Sequence, residues 1–178
     1  MPERAIDMTL PAFTVTFVCM GNICRSPTAH GVFRQMVAEA GLAQQVVVDS
    51  VGTHDFHPGR PPDSRSQRHA AGRGYDLSDL RARVLDDDDF EKSTLLLVMD
   101  WDNFALTRAL CPQHHLHKVR RLTEFSQRHR VEVVADPYNG GAPEFERALD
   151  LIEDACAGLL IHVQRELLAG QPGARAGV

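Results

Sequence analysis

Strand-like and helix-like segments alternate along this chain, and this alternation limits its possible folds more than any other feature. Residues 13–19, FTVTFVC, form a β-branched and aromatic run that is apolar on both faces, which is typical of a strand buried in a parallel sheet. Ser26 at the N-cap position and Pro27 at the first helical position predict the start of a helix. Apolar residues then recur at helical spacing up to Gly41, at Ala29, Val32, Phe33, Met36, Val37 and Ala40.

The same alternation continues to the end of the chain. Three further strands are predicted, at residues 45–50 (QVVVDS), 93–100 (STLLLVMD) and, more weakly, 117–122 (HKVRRL). Helical patterns cover residues 64–73, 101–110 and a long last segment, 145–167. Strands that alternate with helices predict an α/β fold of three layers, α/β/α, in which a four-stranded parallel, doubly wound sheet has helices on both faces.

Length and charge exclude several classes of protein. With 178 residues, the chain fits one domain, which we expect to span residues 13–169 between flexible tails at 1–12 and 170–178. The net charge is −5 and no continuous basic stripe is present, which argues against a nucleic-acid partner. The acidic run at residues 86–89 is predicted to be a solvated loop.

The chain also lacks the signals of a membrane or secreted protein. No apolar run approaches the roughly 20 residues of a membrane span, and the first residues lack the apolar stretch of a signal peptide. Four cysteines do not suggest a secreted disulfide framework, so we expect reduced thiols. These features predict a cytoplasmic protein with no membrane partner. The oligomeric state stays open, with a monomer favoured.

The loop between the first strand and the first helix carries the richest chemistry. Ligands of parallel α/β sheets bind at the carboxyl ends of strands, and a helix N-terminus offers unpaired N–H groups to an anion. Gly21 and Asn22 tolerate backbone conformations that let the loop curl until its amides converge. Arg25 supplies a planar fork for two oxygens of a phosphate. This positive environment would favour the thiolate of Cys19, which is the reactive form.

The stretch VCMGNICRSP, residues 18–27, resembles the signature loop of the low molecular weight protein tyrosine phosphatases. The resemblance continues, in the family's order, over nearly the whole chain from residue 13 to 168, in DSVGTHDFHPGRPPDSR (49–65), DLSDLRAR (76–83), LLLVMDWDN (95–103) and ADPYNG (135–140). It implies hydrolysis of phosphotyrosine in proteins through a cysteinyl-phosphate intermediate, with inorganic phosphate as product. No cofactor and no metal are expected, because arginine and amides supply the charge.

Site roles follow from the same resemblance. Cys19 is expected to be the nucleophile and Asp136 the general acid and then the base. Asn22 is expected to brace the loop, and Ser26 to donate a hydrogen bond to the Cys19 sulfur. The expected phosphate-binding residues are Met20, Gly21, Asn22, Ile23, Cys24 and Arg25.

Specificity is expected to come from the walls of the pocket. Phe56 and Tyr138 could enclose a phosphotyrosyl ring and leave a shorter phosphoserine out of reach. Protein arginine phosphatases of the same fold carry threonine where this chain has Ile23, so isoleucine favours tyrosine phosphate.

One position departs from the family pattern. Family members often have a histidine just before the RAR segment (residues 81–83) that hydrogen-bonds to the loop asparagine, and this chain has Leu80 there. We therefore expect Ser50 to brace Asn22 instead, or the bracing to be weaker.

Three alternative functions have some support in the sequence: a protein arginine phosphatase, an arsenate reductase-like redox enzyme and a metal-binding module. Redox relay through Cys111 and Cys156 is disfavoured because they lie 45 positions apart. By family resemblance, Cys24 could instead form a reversible disulfide with Cys19. The segment CPQHHLH, residues 111–117, is dense in metal-ligating side chains, but its spacing fits no standard zinc motif.

Overall fold

The strands form one all-parallel sheet. The computed structural model describes residues 13–170, so nearly all of the two predicted tails lies outside the described residues. The strands are β1 Phe13–Cys19, β2 Val46–Gly52, β3 Leu95–Val98 and β4 Val119–Arg121, and their spatial order is β2-β1-β3-β4. Because β1 is central, with β2 on one side and β3 and β4 on the other, the sheet is doubly wound and the predicted α/β class is confirmed.

Helices connect the strands, as parallel pairing requires. Two short 3-10 helices, Gln113–Lys118 and Leu122–Phe125, flank β4. Within residues 13–170, no helix combines the length and apolarity needed to cross a membrane. The α-helices are α1 Arg25–Glu39, α2 Ser64–Gly72, α3 Asp87–Lys92, α4 Trp101–Leu110 and α5 Ala142–Ala169.

Both faces of the sheet are buried, which explains why the first strand is apolar on both sides. Val15 and Phe17 lie in the larger hydrophobic cluster with residues of α1 and α5, and the Phe17 ring meets that of Phe33 edge to face at 5.9 Å. Val18 points to the opposite face and packs in a second cluster with Phe90 of α3. Each such side chain contributes about 1.5–3 kcal/mol on burial, so β1 is fixed from both sides.

The predicted N-cap of the first helix is wrong. The helix begins at Arg25, its N-cap is Cys24, and no side chain caps it. Ser26 therefore lies inside the first turn, where its hydroxyl is free to serve the neighbouring loop.

The acidic run is also more ordered than expected. Asp86 caps α3 through the backbone N–H of Asp89. Asp89 is buried and binds the guanidinium of Arg83 at 2.7 and 3.0 Å. Its partner precedes the acidic run, so the run by itself did not reveal the ion pair.

The end of β2 lies close to the loop that follows β1. A Cβ atom at Gly52 would stand 2.8 Å from the carbonyl oxygen of Met20, closer than real Cβ contacts allow. Glycine at this position lets the loop pack directly on the neighbouring strand.

His30 of α1 is buried, and its Nδ1 lies 3.0 Å from the hydroxyl of Ser50 on β2. Burial lowers the pKa of His30 from 6.5 to about 4. Between these two values the unfolded chain binds a proton that the folded protein does not, so stability falls as the pH decreases through this window.

We predict that His30→Gln will reduce the acid sensitivity of the fold. Between pH 7 and pH 5, the unfolding free energy of the parent should fall by about 2 kcal/mol more than that of the variant. Urea unfolding at the two pH values measures the difference. His117→Gln, at an exposed position, is the control and should follow the parent; equal pH dependence in all three proteins would contradict the assignment.

Candidate active site

The carboxyl ends of the three longer strands meet at one edge of the sheet, and the loop after β1 lies there. Cys19 is in register with Gly52 of β2, and Val18 with Val98 of β3. A pocket of about 220 Å³ opens above the loop. Its lining comes from three separate segments of the chain: Cys19, Met20, Gly21, Ile23, Cys24 and Arg25, then Phe56 and His57, then Asp136 and Tyr138.

Three carbonyl groups of the loop accept hydrogen bonds from a neighbouring segment of the chain. Those of Cys19, Met20 and Ile23 accept hydrogen bonds of 2.8–3.0 Å from backbone N–H groups of residues 53–63. Within the described part of the chain, the amides of residues 21–24 donate no hydrogen bond to a protein group. The loop therefore has these three acceptors satisfied and its donors available, which suits it to bind an anion.

Asn22 holds the curvature of the loop. Its φ of 55° is the left-handed conformation, which among residues 13–170 no other non-glycine residue adopts. Its side chain bridges two elements, because Oδ1 accepts the Arg83 backbone N–H at 3.0 Å and Nδ2 donates to the Ser26 hydroxyl at 2.8 Å. Gly21 has no positive φ; a Cβ there would lie 3.1 Å from the His57 ring.

The expectation that Ser50 braces Asn22 is wrong. Among the described residues, its hydroxyl pairs with His30, and Arg83 provides the contact to Asn22 that was assigned to Ser50. Because a backbone N–H makes this contact, no side-chain pattern in the sequence could have indicated it.

Cys19 lies at the base of the pocket. Its Sγ is 2.9 Å from the Ser26 hydroxyl oxygen, and its residue is only 3% exposed. Since Ser26 accepts a hydrogen bond from Asn22, its single hydroxyl proton can be donated to the sulfur or to the Val51 carbonyl, which is 3.2 Å away. A thiolate at Cys19 would therefore have a donor within reach.

The guanidinium of Arg25 is buried and held from one side. Its Nη1 donates to Asp100 Oδ2 at 2.6 Å and to the Val134 carbonyl at 2.9 Å, while Nη2 lies 3.6 Å from Asp136 Oδ2. A buried charge is tolerated only with such partners. These contacts fix the plane of the guanidinium beside the loop.

Sequence reasoning missed Asp100 and His57. Asp100 follows β3 and caps α4 by accepting the N–H of Asn103. An acid at the carboxyl end of a buried strand is a signal that could have found it. His57 lines the pocket next to Phe56, and only the three-dimensional structure shows on which side it lies.

Asp136 and Tyr138 lie in the connection that precedes α5. The Asp136 side chain is 40% exposed, and its Oδ1 accepts the N–H of Tyr138 at 3.1 Å. The Arg65 guanidinium lies over the Tyr138 ring, 5.4 Å from its centre. The structure thus brings the acid, distant in sequence, to the rim of the pocket that contains Cys19.

Phe56 forms the opposite wall. It is 58% exposed and stacks on His54 with ring centres 4.8 Å apart. It is therefore a surface aromatic held in place by a neighbour and not a residue of the hydrophobic core.

All four cysteines are free and buried. Burial raises the pKa of Cys24 to about 12 and also raises the pKa of Cys111 and of Cys156. Cys156 lies on the buried face of α5, within the larger hydrophobic cluster. These environments keep the three side chains as thiols and give no support to a relay through Cys111 and Cys156.

This arrangement defines a parallel α/β protein with a thiol at the base of an oxyanion site. The sequence model of low molecular weight phosphotyrosine protein phosphatase matches residues 14–169. The chain belongs to that family.

Individual proteins that are similar to this chain carry the names of tyrosine phosphatases. A protein of Synechocystis sp., provisionally named a low molecular weight protein-tyrosine-phosphatase, is 41% identical over 85% of this chain and 97% of its own. The low molecular weight protein-tyrosine-phosphatase of Streptomyces coelicolor is 38% identical over 87% of this chain and 96% of its own. The crystal structure of protein tyrosine phosphatase from Entamoeba histolytica is similar to this structure, with a TM-score of 0.84 and 34% sequence identity. The similarity covers 88% of this chain and 99% of that one.

We predict that Asp100→Asn will lower kcat for p-nitrophenyl phosphate about ten- to hundredfold, because a charge-assisted hydrogen bond worth about 1.5–3 kcal/mol would be weakened. KM should change less than about threefold, since the neutral amide does not reduce the attraction for an anion. Asparagine also preserves the cap of α4. The control is Asp102→Asn, an exposed acid in the first turn of the same helix; identical kinetics of the two variants would contradict a positioning role for Asp100.

Proposed function

We propose that this protein hydrolyses phosphotyrosine residues of proteins through a cysteinyl-phosphate intermediate. The observation that carries the proposal is the meeting of three groups in one pocket: the Cys19 sulfur at its base, the Arg25 guanidinium at its side and the Asp136 carboxyl at its rim. A nucleophile, an anion clamp and a proton donor are the groups that transfer of a phosphoryl group from an aryl ester requires.

In the first step, the Cys19 thiolate attacks phosphorus and the bond from phosphorus to the tyrosyl oxygen breaks. Asp136 gives its proton to the departing oxygen. The amides of residues 20–25 bind the equatorial oxygens as charge develops on them. Because Nη1 of Arg25 is occupied by Asp100 and the Val134 carbonyl, we assign Nε and Nη2 to the phosphate.

In the second step, water attacks the phosphorus of the intermediate. Asp136, now a carboxylate, takes a proton from this water, and the Cys19 thiolate leaves as inorganic phosphate forms. The exposure of Asp136 gives water a path to it, whereas the buried sulfur stays out of solvent. Ser26 would donate its hydroxyl proton to the sulfur whenever it is a thiolate.

Two substitutions test these roles. Cys19→Ser should abolish turnover. Asp136→Asn keeps an acceptor for the Tyr138 N–H but cannot donate the catalytic proton, so it should slow phenyl phosphate, a poor leaving group, by about 10²–10⁴. The burst rate and kcat/KM, which report the first step, should show a much smaller loss with p-nitrophenyl phosphate, whose phenolate leaves easily. Hydrolysis of the intermediate is common to both esters and should be slowed equally for both. Equal slowing of the first step for both esters would remove Asp136 from the role of general acid.

Two exposed aromatic residues favour an aryl phosphate. Phe56 and Tyr138 line the pocket from separate segments, and a phosphotyrosyl ring could pack against both while its phosphate enters the loop. Ile23 adds an apolar contact at the level of the loop. These walls support phosphotyrosine over phosphoserine, which is too short to reach the base, and over phosphoarginine.

We predict that phosphotyrosyl peptides will be hydrolysed in clear preference to phosphoarginyl peptides of the same sequence. Phe56→Ala should raise KM for the phosphotyrosyl peptide about three- to tenfold, the worth of one aromatic contact, and should leave inhibition by inorganic phosphate unchanged. Trp101→Ala, an exposed aromatic residue outside the pocket, is the control. Preference for phosphoarginine would overturn the substrate assignment, although not the phosphatase chemistry.

Further expectations complete the proposal. The enzyme would act without cofactor, in the cytoplasm and as a monomer, on proteins and not on nucleic acid or membranes. The disulfide between Cys24 and Cys19 stays a prediction. Burial raises the pKa of Cys24 and keeps it a thiol, so a peroxide would oxidise Cys19, to the sulfenic acid, and would itself be reduced to water or an alcohol. The Cys24 thiol would then condense with the sulfenic acid, forming the disulfide and releasing water.

A further inference from the structure

Three metal-ligating side chains from two separate elements meet on the surface of the protein, outside the pocket that contains Cys19. Glu91 lies in α3, and His114 and His115 lie in the 3-10 helix between α4 and β4. One ligand atom from each of the three lies within 4.8 Å of the others. We call this set the Glu91–His114–His115 cluster.

The distances within the cluster are close to those between the ligands of a metal site. His115 Nε2 is 3.0 Å and His114 Nε2 is 4.0 Å from the same carboxylate oxygen, Glu91 Oε1. Ligands bound to zinc at about 2.0–2.1 Å in a tetrahedral site lie about 3.3 Å apart. Only small side-chain movements would therefore bring all three onto one ion.

His115 gives an independent indication of a ligand. Among the described residues, its buried Nε2 approaches only one polar partner, Glu91 Oε1 at 3.0 Å, and makes no well-formed hydrogen bond. A buried nitrogen without a well-formed hydrogen bond is costly. A metal ion would satisfy its lone pair, and the exposed side chains of His114 and Glu91 leave an approach from solvent.

The neighbouring groups define the donor set. Cys111 is outside the cluster, since its thiol donates to the Pro112 carbonyl at 3.4 Å and burial raises its pKa. The Lys118 ammonium is bound to the carbonyl of Phe90 at 2.5 Å. Because its positive charge would repel a bound cation, we expect the site to bind a metal ion with moderate affinity.

We propose that the Glu91–His114–His115 cluster binds a divalent first-row transition ion of the zinc type. Two imidazole nitrogens and one carboxylate oxygen suit Zn²⁺ and are a poor set for Mg²⁺, which prefers oxygen ligands only. Water completes the coordination. The ion joins α3 to the segment that precedes β4 and so connects two elements of the same face of the sheet.

Titration with Zn²⁺ by calorimetry tests the site. The protein is used as the Cys19→Ser variant, so that the pocket thiol cannot compete for zinc. We expect one equivalent of Zn²⁺ to bind and Mg²⁺ not to bind. Glu91→Gln and His114→Ala, both at exposed positions where folding is not at risk, should each weaken Zn²⁺ affinity at least tenfold. His117→Ala, in the same helix and outside the cluster, is the matched control and should leave it unchanged.

A second measurement is independent of affinity and of catalysis. Zn²⁺ should raise the melting temperature of the Cys19→Ser protein and of its His117→Ala form, and should not raise that of the Glu91→Gln form. Absence of Zn²⁺ binding would overturn the proposal and leave the cluster a surface ion pair. Equal loss of affinity in His114→Ala and His117→Ala, or none in either, would overturn it as well.

Discussion

A guanidinium group is buried beside the loop after β1, and much of the surrounding structure serves to keep it there. Arg25 is 2% exposed, and a charge so far from water needs an acid in contact with it. Asp100 provides that acid from the end of β3, and the Val134 carbonyl provides a second acceptor. Three segments of the chain are thereby brought to one edge of the sheet. Two of them, the loop after β1 and the connection that contains Val134 and Asp136, line the pocket together with Phe56 and His57.

The fold could be predicted almost completely, because its signals are local. Four apolar runs and the helical stripes between them lie where the strands and helices are found, and α1 and α5 differ from the predicted segments only at their ends. One short helix was missed, because α3 forms in the acidic run that was expected to be a solvated loop. The other errors concern side chains that bond across the fold. Serine is a residue type that commonly caps helices, but the hydroxyl of Ser26 forms its contacts with Cys19 and Asn22 of the loop. Asp89 looked solvated because Arg83, its partner, lies outside the acidic run.

The candidate site was predictable for the residues whose chemistry is unusual, and less so for those that position them. Cys19, Arg25 and Asp136 stand out by type and by context. Asn22 is different, since its support comes from the backbone N–H of Arg83, and a backbone group has no identity in a sequence. The cluster around His115 shows the same limit. The spacing of CPQHHLH lacks a third ligand at a suitable position, and the ligand that completes it belongs to another helix.

Three carbonyl groups of the loop accept hydrogen bonds from the segment of residues 53–63, and Phe56 is part of that segment. The framework that shapes the oxyanion cradle is thus the same stretch of chain that presents an aromatic wall to the substrate. Evolution could not lengthen or rebuild this stretch to accept a new side chain without loosening the cradle itself. Divergence of specificity in such a scaffold must therefore proceed by exchange of single side chains on a conserved backbone, and insertions belong elsewhere.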